Sequence, residues 1–250
     1  MPLWQKIIMA LSGLDIYKLL PKTNCRQCGL ATCLAFAMQL AKKTLAIEKC
    51  PFVSPAAKAT LEAQALPPIK LISLGSGESK FEVGNETVMF RHEEKFRNPT
   101  AIGFIIDDDL KNEEVKLLLN KINQLKFERV GQKLEINLVA IKQAQSAARF
   151  LEVVRLVLDN TALPVMLISP DLSCLRQAAQ IAQERKPLLY CATKDNFRQI
   201  GQLAKELDLT LVVSAKDIDA LSALTRELNG LGVNSLILDI DVFAQVSLEN

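Results

Sequence analysis

The second half of the chain alternates short apolar runs with amphipathic segments. Six apolar runs follow one another from residue 101 onward, and their starts differ by 35, 29, 23, 23 and 25 residues. The segments between them, such as NEEVKLLLNKINQL and KDNFRQIGQLAKELD, have the apolar spacing of amphipathic helices. Continuous apolar strands indicate burial on both faces, so the pattern predicts a parallel sheet covered by helices. The runs are AIGFII from Ala101, INLVAI from Ile136, VMLIS from Val165, LLYCA from Leu188, LVVSA from Leu211 and LILDI from Leu236.

This α/β repeat predicts an incomplete TIM-type (β/α) barrel of about six parallel strands over residues 99–250. An open doubly wound parallel sheet is the alternative. No G-x-G-x-x-G follows any of the runs, so dinucleotide binding has no support. The short, even spacing favours the barrel, but a barrel needs two more strands. The chain stops just after the sixth run, and we therefore expect it to be the N-terminal part of a longer protein.

The first hundred residues have a different pattern. Residues 1–62 indicate a small, mostly helical domain that opens with an amphipathic helix, and Pro67-Pro68 ends the helical region. Residues 63–98 alternate apolar and polar positions and carry the turn glycines Gly75 and Gly77. This alternation predicts a β-rich linker of two or three short antiparallel strands.

Composition and charge narrow the class of protein. Hydrophobic residues make up 49% of the 250 residues and aromatic residues only 5%, so the core is predicted to be aliphatic. A net charge of +2 gives no electrostatic case for nucleic acid or an anionic membrane as a partner. The absence of a signal peptide or an 18-residue apolar span predicts a cytoplasmic protein. Structural disulfides are uncommon there, so the cysteines are expected to be metal ligands or buried thiols.

Four cysteines form the main candidate site: Cys25, Cys28, Cys33 and Cys50. Their spacing is Cys-x2-Cys-x4-Cys-x16-Cys, and a proline follows the last one. Three ligands in one loop and a distant fourth favour a [4Fe–4S] cluster over the two tight knuckles of a structural zinc site. A zinc site and unligated thiols remain open alternatives. Asn24 and Gly29 are predicted to turn the loop, and Cys33 to lie in the first turn of a helix, where the dipole favours an anionic group.

Other polar and thiol residues have less specific explanations. Cys174 and Cys191 are predicted to be buried small side chains. The single histidine, His92, excludes multi-histidine metal sites and is predicted to be structural or a surface hydrogen-bonding group. Lys194 is either an anion contact or a solvated lysine.

The aspartates that follow the apolar runs are predicted mainly to cap helices. A place at the functional mouth of a barrel is the alternative for those after the first run, whereas those at the end of the sixth run are expected to be either polar mouth residues or part of a solvated loop. The residues are Asp107, Asp108 and Asp109, then Asp171, Asp217 beside Lys216, and finally Asp239 and Asp241.

The segment SGLDIYKLLPKTNCRQCGLATCLAFAMQLA, followed by KCPF, resembles a known family. The family is the large subunit of the corrinoid iron–sulfur protein, the gamma subunit of the acetyl-CoA decarbonylase/synthase complex. The likeness continues in VMFRHEEKFRNPTAIG, FERVGQKLEINLVAI, RKPLLYCATKDN and LGVNSLILD, and so covers nearly the whole chain. The four cysteines match the family's cluster ligands one for one.

The resemblance implies a [4Fe–4S] domain, a TIM barrel and a C-terminal cobamide-binding domain, which the present 250 residues do not reach. It implies a methyl carrier of the reductive acetyl-CoA (Wood–Ljungdahl) pathway. The methyl group passes from a methylated pterin or folate to acetyl-CoA synthase, and the cluster returns Co(II) to Co(I). The implied partners are a small subunit, a pterin or folate methyltransferase and acetyl-CoA synthase. No catalytic residue is assigned to this chain, which alone is not expected to be catalytically complete. An iron–sulfur electron carrier and a zinc-stabilised docking module are the alternative functions.

Overall fold

The computed structural model describes residues 12–42, 44–65, 69–86 and 95–240, and the chain forms two compact units. The first unit comprises Met1–Lys70 and Gly84–Arg97, and the second comprises Leu71–Val83 and Asn98–Asn250. Residues 71–83, within the expected linker, therefore belong to the same unit as the sheet. The three-part division at residues 62 and 98 stays a prediction.

The described part of the first unit contains three α-helices: α1 (Gly13–Leu19), α2 (Cys33–Ala41) and α3 (Pro55–Ala65). The Ser12 hydroxyl caps α1 by accepting the N–H of Asp15. Helices α1 and α2 pack closely because Gly13 has no side chain, and a Cβ there would collide with Met38. The buried side chains between the elements are few, and the largest belong to Ile16, Leu20, Phe36, Ile47 and Leu61.

The described part of the second unit contains ten strands and five α-helices. Its strands are β1 (Ile72–Leu74), β2 (Phe81–Val83), β3 (Gly103–Asp107), β4 (Lys126–Arg129), β5 (Gln132–Glu135), β6 (Leu138–Lys142), β7 (Val165–Ile168), β8 (Leu188–Ala192), β9 (Leu211–Ala215) and β10 (Leu236–Ile240). Its helices are α4 (Asn112–Gln124), α5 (Ala147–Asn160), α6 (Leu172–Ile181), α7 (Phe197–Glu206) and α8 (Ile218–Gly230).

The six predicted apolar runs are confirmed as strands of one parallel sheet. Its order is β10-β9-β8-β7-β6-β3, which follows the chain without a reversal. A doubly wound sheet reverses its strand order and carries helices on both faces. The described part of this sheet does neither, so the doubly wound alternative was wrong.

Helices α4 to α8 all pack against the same face of the sheet. Alternate strand residues such as Ile106, Ile141 and Leu167 are fully buried against side chains of α4 to α8. Each such aliphatic side chain contributes roughly 1.5–3 kcal/mol of burial free energy. The prediction of an aliphatic, helix-covered sheet is therefore confirmed.

The opposite face of the sheet is covered at one end by the β1–β2 hairpin. Ile72 and Leu74 pack with Leu188 and Val212, which begin or nearly begin their strands. The hairpin is anchored by Ser76, whose hydroxyl donates to the carbonyl of Glu184 at 2.7 Å. The short antiparallel strands predicted between residues 63 and 98 are thus present, and they cover the N-terminal end of the parallel strands.

A second hairpin, β4–β5, was not predicted. This hairpin lies between α4 and β6 in the chain. Its two-residue loop is Val130-Gly131, and their positive φ angles of 53° and 73° are those that a tight hairpin turn requires. Val130 is 95% exposed. Its strands, KFER and QKLE, are exposed at all but one position. The hairpin therefore lacks the buried apolar face by which the other strands were predicted.

The predicted helix-capping aspartates have mixed outcomes. Asp171 caps α6 by accepting the N–H groups of Ser173 and Cys174, and Asp217 caps α8 by accepting that of Ala220. The prediction was wrong for Asp107, Asp108 and Asp109, because α4 begins after Lys111. The N–H of Lys111 is bonded instead by the Glu114 carboxylate, at 2.9 Å.

Asp108 has a different structural role from capping. It is fully buried, and its Oδ1 atom accepts the backbone N–H groups of Ala144 at 2.7 Å and Gln145 at 2.8 Å. Its backbone carbonyl accepts the Nε–H of Arg149 at 3.1 Å. Asp108 therefore ties the loop after β3 to the loop after β6.

We predict that Asp108→Ala lowers the free energy of unfolding by about 2–4 kcal/mol, because it removes the charged acceptor of the hydrogen bonds from the N–H groups of Ala144 and Gln145. Asp109 is exposed and adjacent, and Asp109→Ala is expected to change stability by no more than about 0.5 kcal/mol. Urea unfolding followed by circular dichroism measures both. Equal losses in the two variants would contradict the assigned role.

Candidate metal centre

Three of the four candidate ligands lie in one apolar cluster. Cys33 and Cys50 are buried together with Phe36 and Ile47, and Cys28 packs against the same cluster. Cys25 is exposed. The fold of the first unit therefore places the distant Cys50 in the same apolar cluster as Cys28 and Cys33.

The loop that carries the first two cysteines turns sharply. Lys22, Asn24 and Arg26 have positive φ angles of 59°, 50° and 62°, and Gly29 has a φ of 83°. The predicted turns at Asn24 and Gly29 are confirmed. A Cβ at Gly29 would meet nothing within 4 Å, so there is open space over this turn, beside Cys28.

Cys33 is the first residue of α2, as predicted for a ligand in the first helical turn. Thr32 caps the helix by accepting the N–H of Ala35 at 3.1 Å. The N–H of Cys33 itself donates to the Asn24 side-chain oxygen at 2.8 Å. This N–H is therefore not available to a bound sulfur, while the helix dipole still favours an anion at this end of α2.

The thiols of Cys25 and Cys174 have opposite electrostatic environments. The backbone N–H of Gln27, followed by the side chain of Thr23, lowers the pKa of Cys25 by hydrogen bonding to its thiolate. Burial, reinforced by the charge of Asp171, raises the pKa of Cys174. Cys25 thus has the properties of a ligand or a reactive thiol, and Cys174 those of an inert buried one.

The chemistry of these residues fits a thiolate-bound metal group. Four thiols stand in one small unit, one has a lowered pKa, and another begins a helix. Within the described part of the chain, no three His, Cys, Asp or Glu side chains are placed so that they could hold a metal ion. The identity of the four cysteines as ligands therefore stays a prediction.

The remaining thiol and histidine predictions can be placed only in part. Cys174 is 1% exposed and confirms its prediction, whereas Cys191 is half-buried against the side chains under the β1–β2 hairpin. His92 and Asp241 lie outside the described residues. Lys194 and Lys216 are exposed.

Two polar pairs lie at or near the C-terminal ends of the parallel strands. Asp107 lies 3.8 Å from the Nζ atom of Lys142, and Tyr190 donates its hydroxyl to Asp239 at 2.9 Å. The aspartates were singled out from the sequence, but their partners Lys142 and Tyr190 were not. Lys142 directly follows the second predicted apolar run and Tyr190 lies within the fourth. Position along the chain was the one available signal, and it does not reveal pairing between strands.

Two family models match separate parts of the chain. A model described as "Putative Fe-S cluster" matches residues 20–52, which include all four candidate cysteines. The model of the CO dehydrogenase/acetyl-CoA synthase delta subunit matches residues 71–247, which include the parallel sheet. The two matches together place the chain in the CO dehydrogenase/acetyl-CoA synthase class, with the four cysteines inside the segment that matches the Fe-S model.

Curated relatives extend the likeness over nearly the whole chain. The chain is 42% identical to the corrinoid/iron-sulfur protein large subunit of Moorella thermoacetica, over 92% of this chain and 52% of that protein. It is 34% identical to the acetyl-CoA decarbonylase/synthase complex subunit gamma of Methanothermobacter thermautotrophicus, over 94% of this chain and 52% of that one. The chain belongs to the family of the corrinoid iron–sulfur protein large subunit, or gamma subunit. It spans about half the length of these relatives.

Across residues 12–42, 44–65, 69–86 and 95–240, no helix combines the length and the apolar character that a membrane span requires.

We predict that iodoacetamide modifies Cys25 first and Cys174 last in the reduced, metal-free, folded chain. Cys25 is exposed with a lowered thiol pKa, so a larger fraction is thiolate at a given pH, whereas Cys174 is buried with a raised pKa. Peptide mass spectrometry after timed quenching at neutral pH gives the order. The same reaction in urea, where the difference should vanish, is the control, and comparable native rates at both thiols would refute the prediction.

Proposed function

We propose that this chain is part of a corrinoid iron–sulfur methyl carrier in the reductive acetyl-CoA pathway. The carrier moves a methyl group from a methylated pterin or folate to acetyl-CoA synthase. The observation that carries the proposal is the pairing of a four-cysteine unit with a helix-covered parallel sheet, in a chain whose relatives are named as corrinoid/iron–sulfur and decarbonylase/synthase subunits.

Cys25, Cys28, Cys33 and Cys50 are the proposed ligands of a [4Fe–4S] cluster. When bound, this cluster supplies one electron that returns Co(II) to Co(I) in the cobamide of the complete protein. The chain's own residues position the ligands: Asn24 fixes the start of α2 at Cys33, and the apolar cluster around Phe36 holds Cys50 beside the loop. Arg26 and Lys49, each next to a cysteine in the sequence, bring positive charge that favours an anionic group.

The parallel sheet is proposed to be part of a TIM-type barrel. Its strands follow one another in chain order under one layer of helices, and the edge strands β3 and β10 carry exposed apolar side chains at Phe104, Leu238 and Ile240. Two further βα units would cover these side chains and pair both edges. The proposed protein partners of this cytoplasmic carrier are its small subunit, the pterin or folate methyltransferase and acetyl-CoA synthase.

We predict that anaerobic reconstitution of the chain with iron and sulfide gives about four irons and four sulfides per chain, with a broad absorption band at about 400 nm. Changing Cys25, Cys28, Cys33 or Cys50 to Ser lowers the iron and sulfide content, because each removes one thiolate ligand. Cys174→Ser is the matched control and keeps the full content. A colourless chain that binds a single zinc ion tightly would overturn the proposal.

We predict a selective defect when Cys50→Ser is introduced into the complete, cobamide-bearing protein with its small subunit. Reductive return of Co(II) to Co(I) by a protein electron donor should be lost, because the proposed cluster ligand is missing. Methyl transfer that starts from chemically reduced Co(I) should stay within about twofold of the parent protein. Optical spectra of cobalt follow both processes, and a parallel loss of both would contradict the reductive role.

A further inference from the structure

The β4–β5 hairpin is exposed along almost its whole length. All four positions of β4 and three of the four positions of β5 are exposed to solvent. Within the described part of the chain, β4 and β5 pair only with each other, so the outer edge of β4 has no strand partner there. The backbone N–H and C=O groups of such an edge can pair with a further strand.

One face of this hairpin is charged and balanced. Each charged residue on it stands opposite a residue of the other sign, in the pairs Lys126 with Glu135 and Glu128 with Lys133. The Nζ atom of Lys126 lies 3.6 Å from the carboxylate of Glu135. Two bases and two acids leave this face without a net charge.

The other face of the hairpin is partly apolar. Phe127 stands opposite Leu134, and 53% of Phe127 is exposed. Leu125, two residues before Phe127, is 50% exposed. At the tip, the fully solvated Val130 has a φ angle of 53°, a left-handed conformation that β-branched residues rarely adopt. Exposed apolar side chains beside a strained tip are typical of a surface that another protein covers.

Both strands of the hairpin contain a basic, an apolar and an acidic residue in succession. The triplets are KFE at residues 126–128 and KLE at residues 133–135. If two copies of β4 run antiparallel across a twofold axis at Phe127, Lys126 of each copy stands opposite Glu128 of the other. Opposite charges directly across an antiparallel pair stabilise it, whereas like charges there destabilise it.

This register is consistent over all four strands that two hairpins would supply. In the order β5-β4-β4-β5, charges alternate in sign along both outer rows of side chains, because each hairpin already pairs opposite charges. The central row is apolar, with Leu134 and Phe127 of each copy, and two aromatic rings meet at the axis. The register also brings the exposed Val130 of each copy towards the exposed Leu125 of the other.

We infer that the outer edge of β4 is a self-association surface, at which a second copy of this chain adds its own β4 to form a four-stranded antiparallel sheet. The contact is isologous, since the same residues lie on both sides of the axis. A second copy fits because one triplet supplies both charges of each cross-strand pair. Strands of four residues form a smaller contact than the roughly 1,600 Å² of a standard interface, so the dimer is expected to be weak and dependent on concentration.

The association can be measured by sedimentation velocity of the complete protein over a range of concentrations. The parent should shift towards a species with two copies of this chain as its concentration rises. F127D should weaken this association about tenfold or more, because it places two carboxylates together at the axis. The control is I218D, which makes an exposed apolar side chain acidic at the start of α8 and should associate like the parent.

A charge-reversed variant separates self-pairing from general stickiness. K126E/E128K/K133E/E135K keeps the net charge and every opposite-charge pair within the hairpin. It should associate with itself within about twofold of the parent. It should associate with the parent about tenfold or more weakly, because each introduced charge at the axis then faces a like charge on the other copy. Energy transfer between differently labelled copies measures this mixing.

The inference is overturned if the complete protein holds one copy of this chain at every concentration, or if F127D associates as strongly as I218D. Free mixing of the charge-reversed variant with the parent would equally overturn it. Chemical cross-links from Lys126 or Lys133 to a different subunit, with none between copies, would overturn it in favour of that subunit as the occupant. Circular dichroism of each variant shows that the fold is kept.

Discussion

Burial of a parallel sheet under one layer of helices is the constraint on which the second unit depends. Parallel strands need long crossovers, and here every described crossover places its helix on the same face. The helix-facing side chains become fully buried, and the other face is left to a small hairpin and to the polar pairs near the strand ends. Asp108 extends this constraint to the loops, since a buried carboxylate holds two successive βα turns together.

The first unit is built on a different principle. Its helices are short, from 7 to 11 residues, and cysteines make up part of the small cluster of side chains that they bury. Small units with little apolar surface commonly depend on a metal group or a disulfide for stability. Metal binding by the thiols of the proposed site would therefore also stabilise the fold of this unit, because it would join the loop, the start of α2 and Cys50 around one centre.

The two units match two different family models, and the boundaries of the matches agree with those of the units. The Fe-S model ends at residue 52, and the delta-subunit model begins at residue 71, where the second unit also begins. The sheet of this chain matches a delta-subunit model, although the curated relatives named above are a large subunit and a gamma subunit.

The sequence by itself determined the six parallel strands, their helices and the candidate thiols. Continuous apolar runs have few alternatives to burial in a parallel sheet, and cysteine spacing is a local property. It also identified Asp171 and Asp217 as helix caps, because capping depends on adjacent residues.

Only the tertiary structure decided which partners the other polar residues take. Asp108 resembled a cap in the sequence but accepts N–H groups more than thirty residues away, and Tyr190 meets Asp239 from a strand two positions away in the sheet. The β4–β5 hairpin escaped prediction because it buries no face. Long-range contacts and exposed ribbons leave no periodic signal in the chain, so they are settled only when the strands and loops are brought together.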